Sequence, residues 1–158
     1  MHEVIVVCVD GSPGGYAAVA EASELAVRFN ARLISLSVEE GIPKHAATMG
    51  EVDEFKRERD KYFDGVRAEA EAIAREHHAT LTSEVRMGHA ADAIVDFVAE
   101  VGADLVVLGY KRHFRVLSLV IGATARKVSA SATASVLIVK GARADVRRQR
   151  LLELYGLK

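Results

Sequence analysis

Val4-Ile5-Val6-Val7-Cys8-Val9-Asp10-Gly11-Ser12-Pro13 is the stretch that decides the fold. Six consecutive apolar residues, most of them β-branched, describe a strand covered on both faces, because a strand with one wet face alternates apolar and polar residues instead. Asp10-Gly11 ends the strand. Ser12 before Pro13 predicts a helix N-cap followed by a first helical residue whose missing N–H costs nothing. A buried strand that runs straight into a helix is the opening of a β-α unit, and the chain repeats that unit outward from it.

Ala17 to Phe29 continues the first helix with mostly small residues, and Leu33 to Val38 reads as a second strand. From Glu51 to His78, apolar Val52, Phe55, Tyr62, Val66, Ala70 and Ile73 recur three or four apart, save one longer step filled by charged residues. That pattern predicts a long amphipathic helix. Leu81, Ser83 and Val85 alternate with Thr82, Glu84 and Arg86, which places a half-solvated third strand at a sheet edge. Ala90 to Val101 is predicted helical, Leu105 to Leu108 a fully buried strand closed by Gly109, Thr124 to Ala130 a helix, and Val136 to Val139 a fifth strand. The alternation implies an α/β fold: an open, five-stranded, mostly parallel sheet with helices on both faces, a Rossmann-like half-fold. If the fifth strand lies at the other edge, its four consecutive apolar residues leave an unprotected ladder, and a homodimer joined along Val136, Leu137, Ile138 and Val139 is then expected.

Composition bounds the rest. The chain has 158 residues, 50% hydrophobic and 27% charged, which suits one globular domain with a substantial core. A lone cysteine, Cys8, excludes a disulfide framework and suits a reducing compartment. The longest apolar runs fall far short of the roughly 20 residues of a membrane helix, and Met1-His2-Glu3 is neither long nor basic enough for a signal peptide. A cytoplasmic protein without membrane insertion is the expectation, and no nucleic-acid partner is predicted. The net charge of -1 averages two unlike parts. Residues 1 to 110 carry 10 basic and 20 acidic groups, whereas residues 111 to 158 carry 11 and 2. The basic excess begins where the fourth strand ends, so near-neutrality does not count against an anionic ligand.

In an open parallel sheet, ligands bind beyond the carboxyl ends of the strands where strand order reverses. Asp10-Gly11-Ser12 and Gly109-Tyr110-Lys111-Arg112 are those ends here, and a basic loop leads from the second to Gly122-Ala123-Thr124 at a helix start. Glycine there lets a backbone approach an anion, and the first helical amides are unpaired donors with a favourable dipole. Asp10 suits ribose hydroxyls or a cation; it equally suits an Asx turn that caps the helix. Ser12 has the same two readings, as phosphate ligand and as N-cap. Lys111-Arg112-His113-Phe114-Arg115 is either a solvated loop or the cationic rim of a phosphate site. Cys8 reads as inert packing, and His45, His77, His78 and His89 show no metal-ligand spacing. No Gly-Lys-Ser/Thr run or nucleophile elbow is present, so an enzyme is not expected beyond slow, incidental ATP hydrolysis.

The sequence resembles the universal stress protein family across residues 1 to 141. The resemblance rests on Val9-Asp10-Gly11-Ser12, Gly88 with Ile94, Ala103-Asp104-Leu105-Val106-Val107-Leu108-Gly109, and Gly122-Ala123-Thr124-Ala125-Arg126-Lys127-Val128. The family's nucleotide pattern runs Gly, two residues, Gly, nine residues, Gly, then Ser or Thr. Gly109 and Gly122 keep it; Arg112 and Ala123 depart from it. Charge-assisted bonds from Lys111, Arg112 or Arg115 and the hydroxyl of Thr124 are the available compensations. The resemblance implies strand order 3-2-1-4-5, a dimer through strand five, and ATP or another adenine nucleotide, with or without magnesium. The ligand would be held by Asp10, the backbone near Val38, and the Gly109 to Gly122 loop. The alternative is a stress-response interaction module of the same fold that binds no nucleotide. Residues 142 to 158 lie beyond the resemblance and read as a basic, helical extension expected to pack on the domain or its dimer mate, the alternative being contact with an unknown protein partner or an anionic surface.

Overall fold

The computed structural model describes residues 2–41, 48–110 and 121–140; the expectations for Lys111, Arg112, Arg115 and the 142–158 extension lie outside the described residues. Five strands and four helices alternate: β1 (Val4–Cys8), α1 (Pro13–Phe29), β2 (Arg32–Glu39), α2 (Met49–Glu76), β3 (Leu81–Met87), α3 (Ala90–Glu100), β4 (Leu105–Gly109), α4 (Ala123–Ser131) and β5 (Ser135–Val139). All pairings are parallel and the strand order is β3-β2-β1-β4-β5.

The unbroken apolar strands have the predicted cause. Ile5 and Val7 of β1 face α1 and α2 together with Leu33, Leu105 and Val107. Val6, between them, faces α3 and α4 with Ile34, Leu36, Val106 and Leu108. Both sides of one strand are therefore core, and each such side chain contributes roughly 1.5–3 kcal/mol on burial. Small residues of α1, Ala18, Ala22 and Ala26, lie fully or almost fully buried against the sheet and let the helix come close. Ser12 caps α1 by accepting the Gly15 N–H at 3.1 Å, with Pro13 in the first helical turn. Thr48 and Glu51 form a capping box at the start of α2.

At the edge strand β3 one detail departs from the expected alternation. Val85 is 47% exposed, while Arg86 turns to the other face and lays its guanidinium 5.0 Å above the Phe97 ring, bonded to Glu100 at 3.0 Å. A cation over an aromatic face can occupy a half-covered position that the apolar pattern alone assigns to solvent.

Asp104 ties the amino ends of three strands together. Its Oδ2 accepts from the N–H groups of Glu3 (2.8 Å) and Val4 (3.1 Å), and its Oδ1 lies 2.8 Å from His2 Nδ1. Its main-chain N–H donates to the Val4 carbonyl and its carbonyl accepts from Ser135. Partial burial raises the Asp104 pKa, but the Glu3 and Val4 amides and the His2 ring outweigh that and hold it below its ordinary value. A carboxylate with a lowered folded pKa stabilises the fold above its unfolded pKa of about 3.9 and loses that contribution as pH falls through the folded value. Asp104→Asn should therefore cost about 1–2 kcal/mol at pH 7, modest because the side chain is partly exposed. Urea titrations at falling pH should show the gap to wild type closing below about pH 4. A gap that stays constant would show that the charge contributes nothing.

Candidate functional site

The carboxyl ends of β1, β2, β4 and β5 open onto one cavity of about 520 Å3. That volume lies within the roughly 300–1,000 Å3 of small-molecule sites. It brings together all the proposed site residues within the described part of the chain: Asp10, Ser12, Val38, Gly109, Gly122, Ala123 and Thr124. Arg112 lies outside the described residues.

On the β1 side, Asp10 Oδ1 accepts from the Ser12 N–H at 3.0 Å and the Ser12 hydroxyl at 2.5 Å. The same hydroxyl oxygen accepts from Gly15. Ser12 therefore acts as a relay: its one proton goes to Asp10, and it caps α1 while orienting the carboxylate. The Asx turn and the cap are both present, at the mouth of the cavity rather than away from it. Gly11 has a φ of +83°, and a Cβ built there would collide with the Tyr62 hydroxyl.

Gly109 and Gly122 have unlike reasons to be glycine. A Cβ on Gly109 would lie 2.3 Å from the Gly14 carbonyl carbon and oxygen and 2.7 Å from the Gly15 nitrogen, because the first turn of α1 presses directly on the end of β4. Packing alone demands Gly109. Gly122 caps α4 with φ −57° and ψ 157°, angles open to any residue, and a Cβ there meets nothing within 4 Å among the described residues. Among the described residues no side chain caps α4, and the amides of its first turn, beside Thr124 at the cavity, have no intrahelical partners. Lys127, one turn on, is 2.6 Å from Asp92 and holds α4 to α3. Its hydrogen bond and charge lower the Asp92 pKa.

At the β2 side, the last β1–β2 pairing is Cys8 with Leu36, followed by the Val9 N–H to the Leu36 carbonyl. Peptide groups alternate sides along a strand, and the Glu39 carbonyl accepts from Gly88 on the β3 side. Val38 consequently turns its own N–H and C=O to the side that β1 has left. Cys8 lines the cavity with its thiol pushed up to about 12, by burial first and the Asp10 charge second, so it stays a neutral thiol.

The reading of the sequence missed a whole wall. Arg59, Tyr62 and Phe63 of α2 line the cavity, as do Ala90 and Ile94 of α3. Tyr62 donates its hydroxyl proton to the Asp10 carbonyl. Arg59 donates to the Glu40 carbonyl at 2.9 Å and to Glu39 Oε1 at 3.4 Å. A signal was available, because the long step in the apolar repeat between Phe55 and Tyr62 places Arg59 one turn from each, where a core residue is due.

A model of the universal stress protein family matches residues 1–140. A curated relative from Thermus aquaticus, described as a universal stress protein in the QAH/OAS sulfhydrylase 3' region, is 32% identical over 145 residues, spanning 89% of this chain and all of the relative. Among solved structures, the universal stress protein UspA of Lactobacillus plantarum aligns with a TM-score of 0.73 at 25% identity, covering 87% of this chain and 97% of that one. A universal stress protein solved in complex with cAMP aligns at 0.67 and 25% identity, covering 88% and 97%. The family match spans all five strands and every site element described above, and on that ground the chain belongs to the universal stress protein family.

Proposed function

We infer that this protein is a regulatory adenine-nucleotide-binding protein rather than an enzyme. The observation that carries the reading is the polarity of the cavity. One end holds Asp10, Glu40 and the Glu39–Arg59 pair, an acidic sum that repels phosphate; the other end is the start of α4, which no side chain among the described residues caps and which attracts it. Phosphate belongs at Gly122-Ala123-Thr124, ribose hydroxyls at Asp10, and the base against Val38. An N–H beside a C=O, as Val38 offers, complements the N1 acceptor and N6 donor of adenine. The solved relative with cAMP supports the same ligand class.

Among the described residues no group of three His, Cys, Asp or Glu side chains gathers to hold a metal. Magnesium entering with ATP would be carried by phosphate oxygens, with Asp10 as the nearby carboxylate. No described helix is long and apolar enough to cross a membrane. β5 is an edge strand with Val136 to Val139 half-buried, which supports pairing of two copies along it. Ala123, which lacks the hydroxyl of the family pattern, favours the second reading, an interaction module that binds no nucleotide.

Heat-denaturing the purified protein should release an adenine nucleotide identifiable by mass spectrometry, or calorimetry should show AMP, cAMP or ATP binding. A blank in both would reject the reading in favour of the interaction module. Light scattering during gel filtration should give a dimer at micromolar concentration; a monomer would reject the β5 pairing.

A further inference from the structure

We propose that Arg59 is a positioning residue that sets base specificity, by locking the main chain of Val38 to Glu40 so that it accepts adenine and refuses guanine. The assignment rests on the adenine-nucleotide reading of the cavity.

Arg59 is held more tightly than a surface arginine. Its side chain is 29% exposed, and its guanidinium is bonded to the Glu39 carboxylate and the Glu40 carbonyl and lies 5.4 Å from the Phe55 ring centroid and 5.6 Å from that of Phe63. Two rings of the same helix, one turn to either side, restrict the rotamers of a side chain that otherwise loses much entropy on ordering. The two bonds fall on the two residues that follow Val38. From the β3 side the same segment is held by the Gly88 N–H on the Glu39 carbonyl. The end of β2 is thus fixed from its sheet neighbour and from α2 at once.

That rigidity has a chemical consequence at the base. Guanine presents an N1–H donor and an O6 acceptor where adenine presents an N1 acceptor and an N6 donor. Reversing that order requires both peptides that flank Val38 to turn, so that the Ser37 carbonyl and the Glu39 N–H face the base; a strand end held in place pairs with adenine and sets donor against donor and acceptor against acceptor for guanine. Discrimination comes from polar groups that cannot rearrange to suit the wrong ligand. Arg59, through the Glu39 side chain and the Glu40 carbonyl, restrains the turning of that segment from the residues that follow Val38, while the phosphate end lies at α4.

Calorimetric titration with AMP and GMP tests the assignment in wild type, Arg59→Met and Arg59→Lys. Wild type should prefer AMP. Arg59→Met, which keeps the stem packed between the two rings but removes both bonds, should lower the AMP-over-GMP preference by about tenfold, the worth of one to two hydrogen bonds. Arg59→Lys, able to reach one oxygen but not both in a plane, should recover part of the preference. Glu39→Gln, with the Glu40 bond intact, provides a second and milder variant. A purely structural role for Arg59 predicts lower melting temperatures and equal losses for AMP and GMP, and that result would overturn the assignment. Unchanged preference in Arg59→Met would also overturn it while leaving nucleotide binding intact. Wild type that binds neither nucleotide would overturn the parent reading and this one together.

Discussion

Gly109→Ala is expected to lower the free energy of unfolding by about 3 kcal/mol, the upper end of what overpacking ordinarily costs, because the obstruction is backbone. The added methyl would sit 2.3 Å from the Gly14 carbonyl group, and the obstructing atoms are main chain of α1, which cannot rotate away as a side chain can. Relief requires α1 to withdraw. Yet α1 starts at a fixed cap, Ser12 with Pro13, and buries Ala18, Val19 and Ala22 on β1 and β4. The reverse clash is also present, since a Cβ on Gly14 would meet the Tyr110 carbonyl at 2.6 Å. Urea unfolding of Gly109→Ala beside Gly65→Ala makes the comparison internal. Gly65 is an exposed position of α2 with nothing within 4 Å among the described residues, so its alanine variant should gain about 0.5–1 kcal/mol from helix propensity. Gly109→Ala within 1 kcal/mol of wild type would mean that α1 tolerates displacement, against the packing described here.

The same glycine shows how far the sequence could be read. Val4 to Val9 and Leu105 to Leu108 announce buried parallel strands because burial on both faces leaves no place for polar alternation, and the structure has both at the centre of the sheet. Gly109 was legible as a special position, but its reason was not. A glycine pressed by a helix backbone and a glycine opened to a ligand look alike in one dimension; only the distance to Gly14 separates them. Arg59 fails differently. Periodicity counts apolar side chains, so an arginine on the covered face of α2, neutralised by Glu39 and flanked by Phe55 and Phe63, registers as a gap in the stripe. Its partners are 19 and 20 residues away, and no local spacing rule connects them. Asp10, by contrast, lines the cavity as chain order alone predicts, since the end of a central strand in this topology faces it.

Gly122→Asp is expected to move stability and binding in opposite directions. With φ −57° and ψ 157°, Gly122 already has the backbone of an N-cap, and nothing among the described residues obstructs a side chain. An aspartate there accepts from the amides of the first turn of α4 and sets a negative charge at the positive end of the helix. Together these are worth a few tenths to about 1 kcal/mol of added stability. Those same amides are the groups assigned to phosphate. Once they are occupied, and a carboxylate stands in the phosphate position, affinity for AMP should fall at least about 100-fold, the loss of several charge-assisted bonds plus like-charge repulsion. Gly122→Asn separates the two causes, because it caps without charge: it should lose less affinity than the aspartate, and the difference should shrink at high salt. A variant that melts higher and binds weaker cannot be explained by misfolding. If instead Gly122→Asp binds AMP as wild type does, phosphate is not held by α4. The cationic groups between β4 and α4, Lys111, Arg112 and Arg115, then become the required alternative, and the cavity must be read with its charged end at that loop.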